Sequence, residues 1–593
     1  MRVTGMSAKL QYKPLDNIGL NGLNLQANPV TLDPSWLVKA DNIVLRESGR
    51  ISFRKGLKQN VLANTDGTAS APLPIGSIIE HKSGSATKIC TGVGTKIYTV
   101  DFTTPDSPWT DVFTAGTASD WQFLNFNNQI YGFQVGNPPI KFTSGSWAVT
   151  TNKPTGVTTF DPSCGMGYYG RNWVGGITEE KDVVYYSDLL LGDTWTGGSS
   201  GVIDLKTVWG TDVIVSINAF YGKLVVFGKH HIAIYSGPSE PTTMSLDEVI
   251  SGIGCVSRDS VQSVGDDLYF LSGTGVRSLN RTTEKDNLPL QDLSLTIKDT
   301  LTRHISQSSN VKAVYVETEG TYILSFVDKN ITYVFDIKHE TPSGTPRLTT
   351  WSFDSNREPS SFTYTESKEL LIGQKVGSVA TYEGYYDKDY ISGGTYTSDS
   401  YSGTFLTTWL NLGDSAIAAL LKKLKAVISG GSGTIVGLKW YRDFNTIASK
   451  TLSFQLNPTT TGTTSLWGAS TALYGTTTVT TTTAGAFVIG NYYAIATVGT
   501  TSFTSIGASA NTVGIVFKAT GVGTGTGTAV SHTHTASLHA ASSKYAPVYG
   551  LKEYQLNLTG SAKFLQIEMS AETKGFVASL QTLTLLYKQG KIR

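Results

Sequence analysis

The densest run of metal-type side chains in this 593-residue sequence is SHTHTASLH, which carries His532, His534 and His539. On an extended segment, residues two apart share a face, so His532 and His534 could present two imidazoles to one ion, with symmetry copies about an axis completing the shell. The surrounding residues are Ser, Thr and Ala, without an acidic or cysteine partner. The segment therefore reads as linker, and no metal, cofactor or catalytic centre is expected. His230 and His231 open an apolar strand and are expected to cap its edge. Asp266–Asp267 and Glu179–Glu180 fall in turns, and no second acid is placed across a cleft from them, as general acid–base work requires. Lys422, Lys423 and Lys425 begin a strand, where they protect an edge or meet a phosphate backbone. Arg46, Arg50, Arg54 and Lys55 line one side of a small hairpin. Their default reading is a solvated face, and the alternative is contact with an acidic partner.

Motif-level catalysis is equally thin. There is no Walker A loop or HExxH pair, and no dinucleotide fingerprint in a βαβ context. The stretch from Ser187 and Asp188 through Gly192 and Asp193 to Trp195 resembles the Asp-box turn of sialidase propellers. Its Ser, Asp and Gly spacing differs and it occurs once, so a structural turn is expected. Cys90, Cys164 and Cys255 lie far apart with no CxxC, which points to small buried side chains rather than a disulfide framework.

The elements behind these residues repeat. Strand clusters begin near residues 75, 121, 168, 213, 261, 311 and 362, at spacings of 46, 47, 45, 48, 50 and 51. Each holds three or four short strands divided by Gly-containing turns, as in KLVVFGKHHIAIYSG and DDLYFLSGTGVRSL. One such sheet cannot cover both its faces, but copies stacked radially can, so this period predicts a β-propeller of six or seven blades over residues 71–390. Trp109, Trp147, Trp195 and Trp351 recur late in the copies and are expected between blades. A helix insertion at about 289–305 is predicted from Leu290, Leu293, Ile297 and Leu301, with Pro289 at its start.

Residues 1–70 form an arm with a hairpin pairing Ile43 and Leu45 with Ile51 and Phe53. After 390 the period is lost, and longer strands in 391–457 and 544–593 predict a C-terminal β-sandwich. Between them, 458–543 holds a single charged residue, Lys518, and a Thr/Gly-rich composition with short alternating strands. It reads as a small β module inserted at a loop tip. The fold class is thus all-β: a β-propeller, then a β-sandwich with an inserted small β module.

Charged residues are 16% of the chain and its formal net charge is +1, which leaves no nucleic-acid or membrane footprint. A conduit through which DNA slides should likewise avoid binding it tightly. The opening MRVTGMSAKLQYKP lacks the apolar core of a signal peptide, so a chain made in a cytoplasm, or assembled into something built there, is expected.

Four stretches carry a family resemblance: GLNLQANP with ADNIVLRESGRISFRKGL; YGRNWVGGITEEKDVVYYSDLLLGDTW; KLVVFGKHHIAIYSG with GDDLYFLSGTGVRSL; and LQTLTLLYKQGKIR. In these the chain resembles the nozzle or tail-hub proteins of short-tailed bacteriophages (podoviruses), also called tail tubular protein B or packaged-DNA stabilisation proteins. Residues 484–529 separately resemble a small module of marine-phage structural proteins, which implies a surface role such as weak attachment to host glycans. The resemblance implies a non-enzymatic virion protein made in the host cytoplasm. It implies a ring-shaped homo-oligomer, usually a hexamer, partnered by the portal–tail adaptor and tail fibres. Double-stranded DNA would pass through the lumen without sequence-specific binding. No site residue carries over from the family. Two rivals remain: a propeller glycan hydrolase (sialidase-like or a tail depolymerase), and a receptor-binding adhesion protein acting through 458–543.

Overall fold

A computed structural model describes residues 10–45, 50–61, 73–83, 86–100, 110–114, 120–143, 145–280, 292–355, 357–392, 395–413, 417–431, 434–456, 481–531, 550–573, 575 and 577–589. They fall into two compact units: one is formed by 1–429, 434–454 and 551–593, the other by 430–433 and 455–550.

In the first unit, the repeating clusters become seven antiparallel sheets. Their innermost strands are Ile75–Ser83, Gln122–Phe126, Cys164–Tyr168, Ile214–Phe220, Gln262–Val264, Val311–Val316 and Pro359–Tyr364. Each neighbours the next, and the seventh neighbours the first, so the ring closes with seven blades. Apolar side chains on facing sheets make the layers between blades. Trp121 and Trp147 pack with Ile97 and Cys90 between blades 1 and 2, Trp195 with Phe160 and Tyr185 between 2 and 3, and Trp351 with Ile323 and Ile372 between 6 and 7. Trp109 lies outside the described residues. Cys90, Cys164 and Cys255 are free and buried in these layers, and burial pushes their thiols up to about 12, 12 and 11.

The arm closes the ring. Its strand Leu57–Val61 pairs antiparallel with Val379–Tyr382 as the fourth strand of blade 7. Upstream, Gly22–Leu23 and Trp36–Asp41 continue the sheet of blade 6 beyond its outer strand, Pro346–Trp351, through the parallel pairs Gly22↔Leu348 and Thr350↔Asp41. Trp36–Asp41 then pairs with Ser402–Thr407, so blade 6 runs without a break into a sandwich sheet completed by Phe564–Glu572, Ile435–Arg442 and Lys450–Gln455. The close approach at Gly22 demands glycine: its φ is +84°, and a Cβ there would sit 2.7 Å from the backbone of Leu348. The facing sandwich sheet again draws on the arm. The hairpin Ile43–Leu45 with Ile51–Phe53 and the strand Leu10–Leu15 join Ser579–Gln589, Ala419–Gly430 and Gly550–Asn557. The arm is therefore shared between propeller and sandwich rather than standing apart from them. At the other boundary, the hairpin Asp387–Ser392 with Thr395–Asp399 extends blade 7 past the arm strand, so sandwich strands begin at Ser402.

The helix differs from expectation. It spans Lys298–Gln307, after a 3₁₀ turn at Leu295–Ile297, with Ile297, Leu301 and Ile305 on the buried face. Its predicted start at Pro289 and Leu290 lies outside the described residues. Asp292 ends any continuation toward Leu293, because its carboxylate accepts both the N–H and the hydroxyl of Ser294 and folds the chain into a turn. Leu293 instead donates its N–H to Val276 and covers the edge of the three-stranded blade 5.

The basic side of the arm hairpin is where the solvated-face reading fails. Arg54 is 1% exposed. Its guanidinium donates to Asn42 Oδ1 (2.8 Å) and to the carbonyls of Lys55 (2.7 Å) and Ser352 (3.5 Å), and stands 3.8 Å from the Asp387 carboxylate. The rings of Tyr401 and Phe353 cover it at 4.2 and 4.8 Å, and Tyr401 donates its hydroxyl to the Arg54 carbonyl. Burial favours this arrangement because the arm enters between two blades and the sandwich, where the guanidinium can satisfy several acceptors at once. Lys55 pairs with Glu319 at 2.7 Å, and Arg50 is exposed; Arg46 lies outside the described residues.

The second unit is a four-stranded sheet in the order Thr481–Thr483, Thr528–Ser531, Tyr492–Thr497, Val516–Lys518. Phe487, Tyr493, Phe503 and Phe517 form its core, with ring centroids 4.9 to 6.0 Å apart.

Replacing Arg54 with Met would leave the Asp387 carboxylate and the Asn42 amide buried without their partner. We expect a loss of roughly 3–5 kcal/mol in equilibrium urea unfolding, with the Trp fluorescence of propeller and sandwich shifting together.

Candidate functional site

The seven innermost strands run the same way around an axis, and polar residues collect at both ends of it. Near their N-terminal ends lies a cavity of about 200 Å³, lined by Ser77, Gln122, Ser216, Asn218, Gln262 and Ser361 among others. Beside it, four charges from three blades interlock. Lys312, on the first turn of the blade 6 inner strand, reaches Asp120 and Asp259, each at 2.6 Å. Arg258 lies 3.1 Å from Asp120 and 3.4 Å from Asp259, and also donates to the carbonyls of Ser163 and Asp120, each at 2.6 Å. These contacts cross the axis between blades 2, 3, 5 and 6, so they tie opposite sides of the ring together.

Electrostatics hold this cluster charged. Desolvation opposes the charge of Lys312, but Asp259 and Asp120 outweigh it and raise its pKa. For Asp120, desolvation likewise opposes ionisation, but Arg258 and Lys312 hold its carboxyl below the ordinary range, although the side chain is 63% exposed. Sequence reading missed this cluster. Its signal is positional: Asp120, Arg258 and Lys312 each sit at the entry to an inner strand, where apolar neighbours would otherwise be expected.

The other end, at the C-terminal ends of the same strands, carries an open cleft of about 460 Å³ between blades 7, 1 and 2. Glu80, His81 and Lys82 come from the end of the blade 1 inner strand, Asn125–Gln129 from the first hairpin of blade 2, and Tyr364 and Glu366 from blade 7. Its groups are cross-linked. Lys82 donates to Glu366 at 2.7 Å, the N–H of Glu366 donates to Glu80 at 2.7 Å, and the Asn125 amide donates to the Glu80 carbonyl at 2.8 Å. His81 is buried, 3.2 Å from Asn125 Oδ1. On the same rim, Lys368 pairs with Glu317 at 3.1 Å.

The residues singled out from sequence are dispersed and structural. Glu179 accepts the N–H groups of Thr158 and Thr159, both at 2.9 Å, which lowers its pKa, and Glu180 accepts the hydroxyl of Tyr185. Asp267 accepts the N–H groups of Leu268 and Asn280 (2.7 and 2.9 Å) and the Ser278 hydroxyl. Asp188 accepts the N–H groups of Ser199 and Leu189 and the Ser199 hydroxyl, and these bonds lower its pKa; it fastens its loop as a turn. His230 and His231 lie at the turn into His231–Ser236, a strand paired on both sides, so they cap no edge, and a residue the sequence did not mark holds them there. Buried Asp212 accepts the N–H groups of Val213, Lys229 and His230 and stands 2.9 Å from His231 Nδ1. Burial opposes its charge, but these partners hold its carboxyl low. Lys425 pairs with Glu553 at 3.1 Å and Lys423 reaches Gln555, but their strand, Ala419–Gly430, runs between Ser579–Gln589 and Gly550–Asn557, so the edge-protection reading fails and the lysines instead pair across to the neighbouring strand. His532, His534 and His539 lie outside the described residues. Among the described residues, no group of three or more His, Cys, Asp or Glu side chains is arranged to hold a metal ion.

No protein-family model matches this chain, and no curated protein does. Among solved structures, it is similar to the extracellular domain of a hybrid two-component system from B. thetaiotaomicron, at 12% identity and TM-score 0.38, covering 60% of this chain and 44% of that one. It is similar also to the WD40 domain of Neurospora crassa Pan2 (9% identity, TM-score 0.36, 55% of this chain and 95% of that one) and to the WD40 β-propeller of Doa1 (8%, 0.34, 55% and 96%). The chain thus spans less than half of the first of these. The all-β propeller architecture stands on the strand topology itself.

The axial cluster makes acid stability testable. A carboxylate whose folded pKa is depressed stabilises the fold fully above its unfolded value, about 3.9, and the stabilisation fades as pH falls through the lower folded value. We expect the Tm of the protein to drop below about pH 4, and Asp120→Asn to lower Tm at neutral pH while flattening that acid limb, as followed by calorimetry across pH.

Proposed function

We propose that this chain is a structural protein of a bacteriophage tail, a subunit of a ring-shaped nozzle or hub below the portal and adaptor that conducts the genome and retains it until ejection. The observation that carries this reading is the way the arm welds the two main folds. One continuous sheet runs from blade 6 through Gly22–Leu23 and Trp36–Asp41 into the sandwich, and the same arm closes blade 7. Such a body has no hinge where a linker would be, as suits a ring under load from packaged DNA. The four sequence stretches that resemble nozzle proteins add to it. Two of them fall on blades 3 to 5 and the other two on the arm and the last sandwich strand.

In this reading, DNA does not travel along the propeller axis. The axis holds a cavity of about 200 Å³ beside interlocked ion pairs, so the lumen is the space enclosed by several copies, with propellers as outer scaffold. A homo-oligomer, in this family usually a hexamer, is the expected form. Multi-angle light scattering of the purified protein, alone and with portal and adaptor proteins, tests it. Rings are expected, and a monomer that stays single with those partners present would overturn the proposal.

A second reading draws support from the carboxylates at the open cleft. A propeller glycan hydrolase needs clustered acids at one mouth, and Glu80, Glu317 and Glu366 are gathered on that rim. Two of them are tied to Lys82 and Lys368, which favours scaffold over acid–base work. The adhesion reading rests on the inserted module, where Val488, Ile489 and Tyr492 are exposed. Deleting residues 458–543 separates it from the nozzle. A nozzle lacking the module still assembles and retains DNA in reconstituted particles, whereas an adhesin loses cell attachment.

A further inference from the structure

We propose that the open cleft at the C-terminal ends of the inner strands binds neutral oligosaccharide, independently of the inserted module. Its volume, about 460 Å³, is within the range of small-ligand sites. Asn125, Asn127, Asn128 and Gln129 line it from a single hairpin. Asn125 is committed to the Glu80 carbonyl and to His81, Asn127 donates one N–H to Leu190, and Gln129 Oε1 accepts the Tyr131 hydroxyl, which leaves the Asn128 amide, Asn127 Oδ1 and the Gln129 amide N–H groups to meet a ligand. An amide offers donors and acceptors side by side, which matches the vicinal hydroxyls of a sugar, each both donor and acceptor. The charges present are already engaged with each other, Lys82 with Glu366 and the Glu366 N–H with Glu80. That leaves no strong field for an anion, and a nucleic acid would need cations along its path that this cleft does not supply.

The cleft continues into a platform. Asn127 donates its amide to the carbonyl of Leu190 at 3.2 Å, which joins the blade 2 hairpin to the exposed loop Leu189–Leu191 of blade 3. Beyond it, Tyr169 and Tyr221 cap the first hairpins of blades 3 and 4, 47% and 63% exposed. Tyr168 and Phe220 back them, at centroid separations of 4.4 and 4.7 Å. An exposed tyrosine ring gives an apolar surface for the C–H face of a pyranose. The polar cleft would hold one end of a chain and the tyrosines would carry the next residues. This arrangement binds without cleaving, since the carboxylates in the cleft are committed to Lys82 and to backbone.

The hairpin geometry supplies clean variants. Asn127, Asn128, Tyr169 and Tyr221 all have φ between +47° and +58°, a region that glycine and asparagine tolerate. Asn127→Gly with Asn128→Gly deletes two amides, and Tyr169→Asn with Tyr221→Asn deletes both rings, while the turns keep their shape. The full-length protein would be applied to an array of neutral and acidic bacterial surface glycans, and its best neutral ligand titrated by calorimetry. Binding of a neutral glycan is expected, weakened at least tenfold by each double variant at unchanged Tm. Where a variant lowers Tm, a photoreactive derivative of the same glycan replaces it, and crosslinks are expected within 79–82, 125–129 and 363–366. Absence of any neutral ligand overturns the proposal. So does binding confined to acidic glycans, binding indifferent to both variants with crosslinks elsewhere, or release of reducing ends during incubation.

Discussion

The guanidinium of Arg54 is the point on which the architecture turns. It comes from the arm, yet its partners belong to every neighbouring part. Asn42 lies in the arm itself, Ser352 at the exit of blade 6, Asp387 at the exit of blade 7, and Tyr401 at the entry to the sandwich. Asn42 extends the node by donating to Ser352 Oγ and to the Ser402 carbonyl, and Asp387 by accepting the N–H of Leu57. A buried charge is tolerated only when each of its donors finds an acceptor. The five segments must therefore be in register together in the folded protein.

A second set of constraints works on the axis. The inner strands are held from outside by apolar layers between blades, and from inside by the cluster of Asp120, Arg258, Asp259 and Lys312. The two act in complementary ways. Burial between blades is non-directional and fixes spacing, while ion pairs with short contacts fix the rotation of one blade against another. Buried aspartates repeat this at the perimeter. Asp161 accepts the N–H groups of Gly136 in blade 2 and Thr178 in blade 3, which ties those two blades, and Asp212 accepts those of Lys229 and His230, which ties a loop of blade 4 to the start of its own inner strand. These three kinds of contact lock the blades against one another.

Much of the fold was legible along the chain because propeller blades are local objects. Strands of one blade are consecutive and joined by short turns, so the period in the upper forties and the alternation within VVFGKHHIAIYSG report blade position directly. The inner strands begin at 75, 122, 164, 214, 262, 311 and 359, within four residues of the starts read from sequence. Tryptophans 147, 195 and 351 were legible for the same reason, since a large ring at a repeated place must fill a repeated gap. The carboxylates of Glu179 and Asp188 were readable as turn residues because their partners are chiefly backbone groups between one and about twenty residues away.

What only the tertiary structure decided involves partners far apart in sequence. Arg54 has the composition of a solvated hairpin face; its burial follows from Asp387 and Tyr401, more than 300 residues on. Leu57–Val61 shows no mark of a blade strand, because the edge it completes is formed by residues 379–382. The axial cluster and the mouth cleft share this origin. In each case the local pattern admits several outcomes, and closure of the ring brings together the groups that select one. Local periodicity thus determined that this is a propeller followed by longer strands. Ring closure determined that there are seven blades, that the arm is shared by blades 6 and 7 and the sandwich, and which polar groups meet at either end of the axis.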